Sequence, residues 1–272
     1  MFKTCVVALA FLGSPILMGV SGCTSNPKAP PAAVADLAPT GKLRAAINLG
    51  NPVLAGRDAT GQPSGVSVDL SRELAKRLGV PVELIPFEAA GKVVEAGKTG
   101  AWDIAFVALD PARAAEIAQS TPYVMIEGSY MVRNDSPIRD NAEVDRPGNR
   151  IVVGRGSAYD LYLGRNIKQA QIVRVEGSPA VVDALVKDKL EVAAGVKQQL
   201  EMDAKRVPGV RLLPGRFMVI NQAMASQRNK EAGARYLREF VEEMKASGFV
   251  ARALERHQIQ GALVAPPGEP GQ

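Results

Sequence analysis

Twice along this chain, short runs of Val, Ile, Leu and Ala give way to helical stretches and then return as new apolar runs. Residues 42–47 read as a first strand and end in a loop, 48–62, broken by Gly50, Pro52, Gly56 and Gly61. Over 66–78 the apolar residues Leu70, Leu74, Ala75 and Leu78 recur at helical spacing, and Gly79 supplies the stop. Residues 81–86 form a strand, Val93, Val94 and Ala96 mark a short helical face, and 103–108 is a buried strand. The pattern restarts at 150–153, passes a glycine turn at 154–157 and a helix start at 158–164, and yields strands at 172–175 and 191–195. Between those two strands the spacing predicts a helix capped by Ser178, with Pro179 at its first position and Val182, Leu185 and Val186 turned inward. A further helix runs to about Lys205. Strands alternating with helices imply parallel sheets with crossover connections, so the chain belongs to the α/β class.

Two extended runs, 124–132 and 216–224, lie on either side of the second unit. As paired crossover strands they would let two lobes hinge over a cleft. One continuous doubly wound sheet is the alternative, and periodicity does not separate the two. A strong helix follows at 230–246, with Tyr236, Leu237, Phe240, Val241 and Met244 on one face, and 266–272 reads as a loose tail. At 272 residues the chain is long enough to bury a sizeable core in one large or two small domains.

Composition removes several functions. The net charge of +5 is mild and scattered, with no basic run interleaved with aromatics, so nucleic acid is not an expected partner. Two cysteines and one histidine are too few for a structural zinc site, and no metal or cofactor is expected. The single His257 sits in a solvated pattern near the end of the last helix, and Trp102 precedes a strand in a position that suits packing.

Residues 1–22 read as a secretory signal: Lys3 is followed by an apolar stretch interrupted at Gly13, Ser14 and Pro15. The stretch ends in Val20-Ser21-Gly22-Cys23, which looks like a lipobox with Cys23 as the lipidated residue. A plain signal with an accidental Cys23 is the competing reading. The Pro- and Ala-rich segment 23–40 then reads as a flexible tether to the membrane.

The folded part resembles a known family. Gly41-Lys42-Leu43-Arg44, Gly65-Val66-Ser67-Val68-Asp69-Leu70, Ala101-Trp102-Asp103-Ile104, Asp110-Pro111-Ala112-Arg113-Ala114 and Thr121-Pro122-Tyr123 occur in this order. The second unit adds Gly154-Arg155-Gly156-Ser157-Ala158-Tyr159 and Leu190-Glu191-Val192-Ala193-Ala194-Gly195. This ordered set, over about residues 41–260, is similar to the family 3 solute-binding proteins of ABC importers, the polar amino-acid-binding type. The resemblance implies a periplasmic-binding-protein-like type II fold, in which two α/β lobes are joined by two crossover strands with a ligand cleft between them. Lobe 1 would comprise 41–127 plus 222–260 and lobe 2 would comprise 128–221, leaving 261–272 as a flexible tail. It further implies a monomeric, non-enzymatic periplasmic receptor that closes on a small carboxylate-bearing solute and delivers it to an ABC permease in the inner membrane.

Open α/β sheets bind ligands at the carboxyl ends of their strands. Asn48, Asn51, Phe106, Ala108, Asp110, Ser157, Ala158 and Tyr159 all follow or close such ends. Arg113 stands where the family carries its carboxylate-binding arginine, and a planar guanidinium fork suits that partner. The helix start after Gly154-Arg155-Gly156-Ser157 would offer free N–H groups and the Ser157 hydroxyl to an anion. A dinucleotide fingerprint would want glycine where Tyr159 stands, and Tyr159 also reads as a core packer.

The departures from the family concern the other end of the ligand. Its aromatic clamp falls at Asn51 and Ala90, its assisting serine at Ala108, and its ammonium-binding acid at Val196 or Lys197. A Lys197 facing the cleft would favour a second anionic group, with Asn48, Asp110 and Glu127 as remaining acceptors. Two alternatives stay open at this point. One is a cyclohexadienyl-dehydratase-like enzyme on the same fold, which would need a cleft acid. The other is a ligand-sensing module for a membrane signalling partner.

Overall fold

The computed structural model describes Met1 and residues 29–268; the leader 1–22, Cys23 and the start of the tether lie outside the described residues. Helix α1 (Pro31–Leu37) precedes strand β1 (Leu43–Asn48), and the loop after β1 carries a small ribbon, β2 (Gly56–Arg57) with β3 (Pro63–Ser64). Helix α2 (Val66–Leu78), β4 (Val82–Phe87), α3 (Ala90–Gly97), β5 (Ile104–Ala108) and the short α4 (Pro111–Ala114) complete the first unit. The second unit contains β7 (Arg150–Gly154), α5 (Ala158–Asn166), β8 (Gln171–Val175), α6 (Val181–Lys187), β9 (Val192–Val196) and α7 (Lys197–Arg206). It is entered along β6 (Ile117–Arg133) and left through β10 (Val210–Leu212) and β11 (Met218–Gln227). Helices α8 (Glu231–Ala246) and α9 (Phe249–Arg256) and the short β12 (Leu263–Val264) follow.

Strand β1 runs parallel to β4 and β5, and β7 runs parallel to β8 and β9. Within the sheet the two parallel blocks are joined through β6 and β11, in the order β4-β1-β5-β11-β6-β9-β7-β8. The 17 residues of β6 reach from pairing with β11 at Ile117–Gly128 to pairing with β9 at Gly128–Met131. At about 3.3 Å per residue such a strand spans roughly 55 Å, long enough to cross from one block to the other. Hydrogen bonding is therefore continuous, and the main core runs across both blocks, joining Leu43, Ile47 and Leu70 to Ile151, Val153 and Val192. Met131, Val152, Val182, Leu185, Leu190, Ala193 and Leu200 fill one cluster in the second block.

Strand β5 is buried on both faces. Ile104, Phe106 and Ala108 join the main core on one side, while Ala105 and Val107 pack with Trp102 on the other. The predicted apolar stripe of α2 is buried in full, and Gly79 ends the helix in the left-handed conformation with φ 71°. Among the described residues no helix is long and apolar enough to cross a membrane.

Three expectations change. The helix expected after Ser178 begins a turn later, because 178–180 forms a 3-10 turn that Ser178 does not cap. Val181 consequently faces inward, and Val186 is 39% exposed. The end of the expected tail is docked: β12 pairs with β6, Lys245 Nζ donates to the Pro266 carbonyl at 2.8 Å, and the Gly268 N–H donates to Glu242. The last part of the expected tether is also ordered, as α1 packs against α8.

Local composition did not announce α1, whose stability comes from its contact. Leu37 is 0% exposed, and Asp36 Oδ2 accepts the Gly233 N–H at 3.0 Å. Gly233 is required there, since a Cβ would lie 2.9 Å from Leu37 Cδ2. Leu37→Ala should lower unfolding free energy by about 2–4 kcal/mol in denaturant titration. A truly free tether would leave the midpoint unmoved.

Candidate functional site

The carboxyl ends of strands from both blocks converge on one cavity of about 30 Å³. Asn48 closes β1, Ala108 closes β5 and Val196 closes β9, while Ser157, Ala158 and Tyr159 begin α5; all six line the cavity. Gly50, Asn51 and Ala90 contribute from the loops and α3 of the first block, and Ile220 and Gln222 from β11. The topology produces this convergence, because parallel strands of one block point their carboxyl ends the same way and β6 and β11 bring the two blocks edge to edge.

Arg113, on α4, lines the cavity and is only 3% exposed. Its Nη1 donates to the Ala108 carbonyl at 3.0 Å, and its Nη2 reaches across to the Gly156 carbonyl at 2.8 Å. These bonds use two of the five guanidinium N–H groups, and no acid among the described residues pairs with it. Burial pushes its pKa down to about 10, opposed only by the field of Asp110. It remains a cation at neutral pH, buried without a carboxylate partner of its own among the described residues.

A second source of positive potential faces the same space. Ser157 caps α5 by accepting the Asp160 N–H at 3.0 Å, and Gly156 N–H is taken by Asp160 Oδ2. Among the described residues, the N–H groups of Ala158 and Tyr159 donate to no carbonyl. Such unpartnered donors at a helix start attract anions. Tyr159 is buried, and its hydroxyl donates to Ser178 Oγ at 2.7 Å; burial raises its pKa.

The remaining wall is uncharged and mixes amides and hydroxyls with the apolar side chains of Ala90, Ala108, Val196 and Ile220. Asn48 turns its Oδ1 back to the Gly50 N–H at 3.1 Å, whereas the buried Oδ1 of Asn51 has no partner. Gln222 and Ser178 also line the cavity and were missed by sequence reasoning. Gln222 follows Asn221 in β11, and the polar pair between Ile220 and Ala223 was a usable signal. Ser178 gave none, because its place at the wall depends on the fold of α6 behind it.

Three expected contacts stand elsewhere. Phe106 lies deeper on β5 and packs edge-on against Tyr123, with ring centroids 6.1 Å apart. Asp110 caps α4 through the Ala112 N–H at 2.9 Å and pairs with Arg165 at 2.7 Å, so its carboxylate is already used. Lys197 is 41% exposed at its side chain and leans on Glu127 at 3.4 Å; Val196, not Lys197, faces the cavity because the strand ends there and the helix turns the next residue outward. Arg216 holds Glu127 at 2.7 Å and keeps that carboxyl below its usual range.

The two blocks also touch around the rim. Lys92 on α3 pairs with Glu176 at 2.7 Å, and Gly156, with φ +70°, sits so close to Gly91 that a Cβ would lie 2.8 Å from its Cα. Gly156→Ala should cost about 1–2 kcal/mol of backbone strain and force the rim apart. Both effects are measurable, as a lower melting midpoint and a larger radius of gyration by small-angle scattering.

This fold and site place the chain among receptors that enclose a solute between two α/β units. The chain belongs to the bacterial extracellular solute-binding proteins, family 3, which it matches over residues 43–259. No curated protein matches it at the level of sequence. Among solved structures it is similar to the solute receptor for L-cysteine of Neisseria gonorrhoeae, with TM-score 0.74, 22% identity and coverage of 84% of this chain and 94% of that one. A histidine kinase sensor domain with similarity to periplasmic binding proteins gives TM-score 0.72 at 18% identity, covering 82% and 98%. An ancestral amino acid-binding protein, a precursor of cyclohexadienyl dehydratase, gives 0.70 at 21% identity, covering 82% and 98%. At these identities the likeness establishes the type II periplasmic-binding-protein-like fold.

Proposed function

We propose that this protein is the extracytoplasmic receptor of an ABC importer, closing on a small carboxylate-bearing solute, an amino acid or related organic acid, and handing it to a permease. The observation that carries this reading is Arg113: a buried guanidinium without an acid, beside the unpartnered N–H groups of Ala158 and Tyr159. A carboxylate could draw on the guanidinium's remaining donors and on the two helix-start donors. Because those donors come from both blocks, a bound solute stabilises the arrangement in which they meet, and closure follows as a population shift. We place the hinge where β6 and β11 run side by side, Glu127 opposite Val219, so that the lobes divide near 127/128 and 221/222. Export with Cys23 as a lipid anchor, and action as a monomer, belong to the same proposal.

A dehydratase on this fold would need an acid in the cavity, and none lines it among the described residues. A sensor role would use the same closure with a different membrane partner; co-purification of a permease or of a kinase separates the two. The binding reading itself is tested by a thermal-shift panel of amino acids, hydroxy acids, oxo acids and dicarboxylates. A ligand at a hundredfold excess over its dissociation constant adds about 2.7 kcal/mol of apparent stability. No shift with any carboxylate would end the receptor reading.

A further inference from the structure

Resting on that receptor reading, we infer that the solute is a monoanionic acid carrying a hydroxyl or oxo oxygen and no ammonium group. The argument is a count of charge at the cavity wall. Arg113 is the one charged side chain lining it among the described residues. Asp110, whose field reaches the guanidinium, is bonded to the Ala112 N–H and to Arg165 at 2.7 Å, so no carboxylate pairs with Arg113 directly. The start of α5 adds further positive potential.

One carboxylate cancels this excess. A zwitterion would cancel it and bring a second cation to a wall without an acid to receive it, and a buried charge left unpaired is costly. The groups left to meet the rest of the solute are neutral: the amides of Asn48, Asn51 and Gln222 and the hydroxyl of Ser178. Asn51 Oδ1, buried and unpartnered, is an acceptor for a hydroxyl hydrogen. Val196, at the end of β9, presents only methyl groups to the same space.

The test is calorimetry on the purified protein with matched pairs that differ only in the group on the second carbon: lactate against alanine and glycerate against serine, with pyruvate as the oxo probe. Each ammonium-free acid should bind at least tenfold more tightly than its amino partner. Val196→Asp, which supplies the missing countercharge, should shrink that ratio by at least tenfold, and the neutral Val196→Asn should not. Amino acids that bind as well as or better than their partners overturn this inference while leaving the receptor reading intact. An unchanged ratio in a folded Val196→Asp also overturns it. Failure of every carboxylate, amino acids included, instead counts against the receptor reading.

Discussion

Arg113→Met should abolish binding of the carboxylate solute without destabilising the protein. Burial lowers the Arg113 pKa from its ordinary value to about 10, a cost of about 3 kcal/mol to the folded state. The sign follows from the direction. The folded chain holds this proton less tightly than the unfolded one, so the penalty is present in full below pH 10 and fades only as pH rises through 10 towards the ordinary arginine value. Methionine fills a similar volume with no charge, which relieves the penalty. Some of that gain is offset at Gly156, whose carbonyl loses the 2.8 Å bond, while the Ala108 carbonyl keeps its bond from Gln119 Nε2 at 3.0 Å. The unfolding midpoint should therefore hold or rise. Solute affinity should fall by about 10²–10³, the loss expected when a buried carboxylate is deprived of its cation. Calorimetry together with denaturant titration checks both halves. Retained affinity would remove Arg113 from the site, and a large loss of stability would show that its two carbonyl bonds are structural.

Trp102→Ala should be the most damaging single substitution away from the site. The indole is 0% exposed and wedged between α3 and the sheet, with its ring against Gly97, where a Cβ would lie 2.6 Å from Cζ2. Its Nε1 donates to the Val93 carbonyl at 2.8 Å. Removing the ring should cost about 3–5 kcal/mol through lost burial and cavity formation, against a total stability that is commonly about 5–15 kcal/mol. For a chain of this size that corresponds to a melting drop of roughly 6–20 °C. Trp102→Phe keeps most of the volume and loses the hydrogen bond, so it should fall between the two. Since Trp102 packs on the face of β5 that carries Ala105 and Val107, away from Ala108 and the cavity, solute affinity of the folded fraction should stay within a few-fold of the parent.

Much of the fold was legible because it rests on local periodicity. The stripe Leu70, Leu74, Leu78 with Gly79 behind it locates α2 to the residue, and the apolar runs locate β5, β7, β8 and β9 to within one or two positions. The site was legible as far as strand ends could place it. Asn48, Ala108 and the residues after Gly154 reach the cavity through that topological rule. Arg113 could be singled out among 33 basic residues only by its motif. Whether β6 and β11 join two blocks or continue one sheet was not legible, because a 17-residue strand that changes partners halfway has no periodic signature.

The residues by themselves determined the order of elements, their turns and the chemistry available at strand ends, since each depends on neighbours a few positions away. Tertiary structure alone decided which charges are free. Asp110 meets Arg165, 55 positions on, and Lys197 meets Glu127, 70 positions back, so neither serves the cavity, while Arg113 finds only carbonyls. The same holds for α1, a Pro- and Ala-rich segment with the composition of a tether, which becomes a buried helix because Gly233 on α8 leaves room for Leu37. Pairing and burial of this kind are properties of distance in space, and no local pattern encodes them.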